Sequence, residues 1–66
     1  MITIADIKTE ALAHHAPASI ISMTFEEFWD FHYIANGYEA ITDAQMNKLR
    51  PKYLAVYIEL LKEFWK

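Results

Sequence analysis

The chain has 66 residues, a net charge of −3, one glycine, two prolines and no cysteine. That length allows one small helical or mixed domain, 1–66, and leaves no room for two lobes around a cofactor. The missing cysteines exclude a disulfide framework, a thiolate zinc site and thiol catalysis. A 55% hydrophobic composition argues against intrinsic disorder.

Charge and aromatics are unevenly placed. Residues 1–47 carry seven acids against Lys8, a balance of −6, and residues 48–66 carry a balance of +3. All ten aromatic residues lie after position 24. The opening Met-Ile-Thr-Ile-Ala-Asp lacks the basic start and apolar run of a signal peptide. The charge-free run 11–25 is too short and too polar to span a bilayer. A cytoplasmic protein is the expectation.

Three helix starts share one local grammar, apolar–Thr–x–x–acid or amide–apolar. They are Ile2-Thr3-Ile4-Ala5-Asp6-Ile7, Met23-Thr24-Phe25-Glu26-Glu27-Phe28 and Ile41-Thr42-Asp43-Ala44-Gln45-Met46. Each reads as a capping box: the threonine hydroxyl accepts the N–H three residues on, and the side chain there reaches back. The flanking apolar pair forms a hydrophobic staple.

The first helix is predicted over about 4–15, ending before Ala16-Pro17 because the residue ahead of a proline avoids helical geometry. Ile4, Ile7, Ala11, Leu12 and His15 would share one side of it. The link 17–22 fits either extended chain or a single turn opened by Pro17. A second helix is predicted over 25–36, stopped by Gly37 in a left-handed cap. Its apolar arc of roughly 200° is wider than one core-facing stripe and marks it as the central helix.

A short helix over 43–49 and a strong one over 52–65 follow, either separate or joined as one Pro51-kinked element. The last also has an apolar arc of roughly 200°. No β-alternation or hairpin turn is present in the sequence, so the expected class is all-α, a bundle of three or four helices.

Candidate chemistry is sparse. His14 and His15 would diverge by about 100° on a helix, and His32 lacks a histidine at ligand spacing, so no metal site is expected. Surface histidines near a helix end fit better. Glu26 and Asp30 lie four apart beside Trp29 and Tyr33, but paired carboxylates need a cleft to do acid–base work. With one glycine there is no phosphate loop, and Ser19 and Ser22 lack a nucleophile context. No cofactor and no enzymatic activity are expected.

The arcs point instead to binding. Two helices with more apolar surface than a small bundle covers should leave aromatics exposed. Glu26, Trp29, Asp30, Tyr33, Tyr57 and Trp65 are therefore the candidate partner-binding residues of a regulatory or inhibitory accessory protein, or of a self-assembling homodimer. Lys48, Arg50 and Lys52 are candidate contacts to an anionic partner, with 43–52 as the reading segment of a helix-turn-helix. The negative net charge and the five-residue link before residue 43 argue against nucleic acid. Mixed charges on the polar face of the last helix argue against a membrane surface.

Overall fold

The computed structural model describes residues 2–65. Its elements are α1 (Ile4–His14), α2 (Pro17–Ser22), α3 (Phe25–Ala35), a single 3-10 turn (Tyr38–Ala40) and α4 (Asp43–Phe64). The all-α class expected from the sequence is the one observed, and no strand is present among the described residues.

All three capping boxes form. Thr3, Thr24 and Thr42 accept from Asp6 N (3.1 Å), Glu27 N (3.2 Å) and Gln45 N (3.2 Å), and the same three side chains accept the threonine N–H in return. The staple partners Ile2, Met23, Ile41 and Met46 pack on the core. α3 ends at Gly37, whose φ of 66° and ψ of 35° is the left-handed conformation anticipated there.

The link after α1 takes the second of its two options: Pro17 opens the six-residue α2. At the other proline the chain does not break. α4 runs for 22 residues through Pro51, so 43–49 and 52–65 belong to one helix. Proline removes one N–H and crowds the preceding turn. Here Pro51 and Asn47, whose carbonyl loses that donor, both lie on the exposed side, where water reaches. Leu49 and Tyr53, one turn apart on the buried side, anchor the helix across the gap.

α4 is the spine. It packs against α1, α2 and α3, so the central role expected of the 25–36 helix belongs to α4. The molecule measures 37 × 18 × 18 Å. A helix of this length spans about 33 Å and is about 10 Å across, so the short dimensions hold two helical layers. The second layer lies to one side of α4, and its far side has no cover.

The core comprises Ile7, Ala11, Ile20, Phe28, Trp29, Leu49, Tyr53, Val56 and Leu60. The accessible surface is 4384 Å², against about 4300 Å² for an ordinary folded monomer of this mass. One copy therefore buries as much of its chain as a domain of its size normally does.

Candidate functional site

Two features stand out from this frame, a polar network inside the bundle and an apolar stripe outside it. The network centres on Glu10 of α1. Its Oε1 accepts from Asn36 Nδ2 (2.7 Å) and lies 3.2 Å from His32 Nδ1, and its Oε2 accepts from the Tyr53 hydroxyl (3.1 Å). Tyr38 OH lies 2.7 Å from Tyr53 OH, and His15 Nε2 lies 3.2 Å from His32 Nε2.

A carboxylate only accepts, and that orients the rest. His32 donates from Nδ1 to Glu10, so its neutral Nε2 accepts from His15 Nε2–H. Tyr53 donates to Glu10, so Tyr38 donates to Tyr53. Two donor chains converge on one carboxylate.

The protonation equilibria follow from this arrangement. Burial works to raise the Glu10 carboxyl, but the donors Asn36, His32 and Tyr53 outweigh it and hold it below the usual carboxylate range. Burial pushes His32 down against the opposing pull of Glu10, and pushes His15 down with help from the neighbouring His32 and His14. Burial also pushes the Tyr53 phenol up, as do its bond to Tyr38 and the nearby Glu10 charge.

His32 is fully buried, which corrects the expectation of surface histidines. Its ring packs on Phe28, Phe31 and Tyr53. His15 reaches it because α1 stops at His14. His15 is then extended, at φ −128° and ψ 136°, and its ring turns inward instead of following the helical spiral. Among the described residues, no group of three or more His, Cys, Asp or Glu is arranged to hold a metal ion.

The candidate partner-binding residues do not form one surface. Trp29 is only 5% exposed, its ring in contact with Tyr33, Tyr38 and Tyr53. It belongs to the core and presents no area to a partner. Tyr33 is half-buried beside it. Glu26 pairs with Arg50, and Asp30 is exposed. Tyr57 is half-buried, stacks near Phe25 and Phe28 and donates to the Met23 carbonyl (2.6 Å). Trp65 is 66% exposed and lines a groove with Ile21, Tyr57, Leu61 and Lys62.

The basic set also divides. The Arg50 guanidinium lies over the Phe25 and Trp29 rings, 5.1 and 5.5 Å from their centroids, as well as pairing with Glu26. Lys52 Nζ donates to the Ile2 carbonyl at 3.1 Å. Lys48 is exposed. On a 100° wheel Arg50 lies roughly 160° from both lysines, so the three do not share a face. The segment 43–52 is the start of the spine helix, without the separate reading helix of a helix-turn-helix.

The stripe that the sequence reading did not isolate runs along the outer side of α4. Leu54, Ile58 and Trp65 are 40%, 42% and 66% exposed, and Leu61 between them is half-buried. Their spacing of four, three and four residues is that of a coiled-coil seam. Its signal lay inside the wide apolar arc of 52–65, which combines two stripes. Tyr53, Val56 and Leu60 face inward, and Leu54, Ile58, Leu61 and Trp65 are turned roughly 80–160° from Tyr53.

No protein-family model, no curated protein and no solved structure matches this chain. Among the described residues, no helix is long and apolar enough to cross a membrane.

Proposed function

We propose that this is a non-enzymatic protein-interaction module, a regulatory or inhibitory accessory protein that binds another protein chain through the outer side of α4. The observation that carries the reading is the regularly spaced stripe Leu54, Ile58, Leu61 and Trp65, left open on a helix whose inner side already supplies a complete core. Isolated exposed apolar residues are ordinary on any surface. A row repeating along one helix is a binding surface of the helix-pairing type.

Acidic side chains at the start of α3 flank this surface. Glu26 and Asp30 are exposed there, and Glu26 meets Arg50, one turn before Leu54. Such charges steer encounter with a basic rim, and the apolar stripe supplies contact area. In this reading Trp65 and Tyr57 contact the partner, Trp29 stabilises the scaffold, and Tyr33 lies at the edge.

The polar network supports a non-catalytic reading. Both ring nitrogens of His32 are engaged by protein groups, its side chain has no exposure, and it lines none of the grooves described here. A general base must reach its substrate. The test is affinity capture with Ile58→Lys and Trp65→Ala variants whose folding is verified by circular dichroism. Both should lose the partner that the native chain retains, and reversal of Glu26 and Asp30 should slow association. Undiminished capture by folded stripe variants would defeat the reading.

A further inference from the structure

We infer that the chain on the outer side of α4 is a second copy of this protein, packed antiparallel along the same helix. The inference rests on the interaction surface proposed above and names its occupant.

The stripe is complementary to itself under a two-fold axis. In an antiparallel pair of helices, each seam position faces the opposite kind of position on the other helix. Setting Leu54 against the second copy's Trp65 sets Ile58 against its Leu61, and the same two pairs recur beyond the axis. Each large or exposed side chain meets one that is smaller or half-buried: Trp65 at 66% exposure meets Leu54 at 40%. All four seam residues are matched and none overhangs.

The flanks fit the same register. Beside the seam on its inner edge stand Tyr57 and Phe64, both half-buried and apolar. On its outer edge stand Ala55 and Lys62. The two-fold brings Lys62 against the second copy's Ala55 and keeps the two Lys62 side chains apart. It lets the lysine stem lie along apolar surface with its ammonium in water.

Charge selects antiparallel over parallel. A parallel pair would place the acidic starts of both α3 helices, each with Glu26, Glu27 and Asp30, at the same end. The antiparallel pair separates them and brings each toward the other copy's last α4 turn, which carries Lys62. The pair closes on itself, so the assembly stops at two.

Because the chain contains no cysteine, single cysteines report the register without background. Leu54→Cys protein mixed with Trp65→Cys protein and oxidised should give mainly the 54–65 cross-link, with little 54–54 or 65–65 product. A mixture of Ile58→Cys and Leu61→Cys proteins should behave the same way. Sedimentation should show a dimer, and Trp65→Ala should weaken it at least about tenfold. Trp65 is outside the core and beyond the end of α4, so this variant keeps its fold.

A native chain that stays monomeric at high micromolar concentration, or cross-links dominated by 54–54 and 65–65, would overturn the inference. In that case, loss of partner capture by the folded stripe variants would still leave the surface assigned to a different protein. If capture is also unchanged, both readings fail.

Discussion

Replacing Glu10 by Gln keeps the shape of the side chain and removes its charge. The carboxylate is the common acceptor for His32, Asn36 and Tyr53. A glutamine offers one carbonyl oxygen and turns an NH₂ group toward at least one donor. Hydrogen bonds to a charged group contribute about 1.5–3 kcal/mol each, and a donor left unsatisfied costs about 1–3 kcal/mol. The Glu10 side chain keeps 20% of its exposure, so water recovers part of this, and a loss of about 2 kcal/mol is expected. A domain this size has a total stability of roughly 3–10 kcal/mol. At about 4–8 °C per kcal/mol, the melting temperature at pH 7 should fall by roughly 8–16 °C.

The pH profile gives the sharper test. His32 and His15 have lowered values in the folded chain, so the unfolded chain takes up protons first as pH falls. Their stabilisation is complete above the ordinary value of 6.5 and declines as pH drops below it, through the folded values. Glu10 is also lowered, so its contribution is present above 4.5 and is lost as pH falls further. Native protein should therefore weaken in two stages on acidification. Glu10→Gln should lose the lower stage and deepen the upper one, because His32 no longer has the carboxylate that favours its charged form. Thermal unfolding followed by far-ultraviolet circular dichroism across this range measures both. An unchanged melting temperature at pH 7 with an unchanged acid profile would refute the account of the network.

Three further substitutions probe the frame. Thr24→Ala removes the hydroxyl that caps α3 and should cost about 1 kcal/mol, lowering the melting temperature by roughly 4–8 °C. Gly37→Ala meets no steric obstacle, since the nearest atom to a new Cβ is Glu39 Oε1 at 3.9 Å, but the φ of 66° should cost about 1–2 kcal/mol, read by urea denaturation. Pro51→Ala restores a helical N–H on the exposed side of α4 and should raise the urea midpoint by the equivalent of about 1–3 kcal/mol; a lower midpoint would show that the proline is needed for the shape of the spine.

Local features were legible from sequence because their causes are local. Thr3, Thr24 and Thr42 with their third-residue partners, Gly37 as a stop and Pro17 as a permitted helix opener involve atoms within a few residues. The continuity of α4 through Pro51 was left open, because it depends on Leu49 and Tyr53 being held by α1 and α3. The network was harder still. Glu10, Asn36 and Tyr53 are distant in sequence, and no spacing rule connects them. His15 escaped because one residue's departure from the helix, at the end of α1, redirects its ring. A polar residue at the margin of an apolar stripe, as Glu10 is beside Ile7 and Ala11, is the one local sign that such a network leaves.

The wide apolar arc of the last helix has a physical meaning that neither stripe has alone. If the outer residues were needed to complete one copy's core, the monomer would be under-buried for its mass, and its 4384 Å² of accessible surface would exceed the usual value. It does not. The inner row of Leu49, Tyr53, Val56 and Leu60 suffices with the other elements, and the network on Glu10 ties α1 to α3 and α4 from within. The outer row can therefore change without dismantling the fold. Stability and association lie on opposite sides of one helix, so substitutions at Ile58 or Trp65 and at Glu10 or Phe28 should affect them separately. In a cysteine-free chain of this length, that division lets a partner bind α4 without first having to complete the fold.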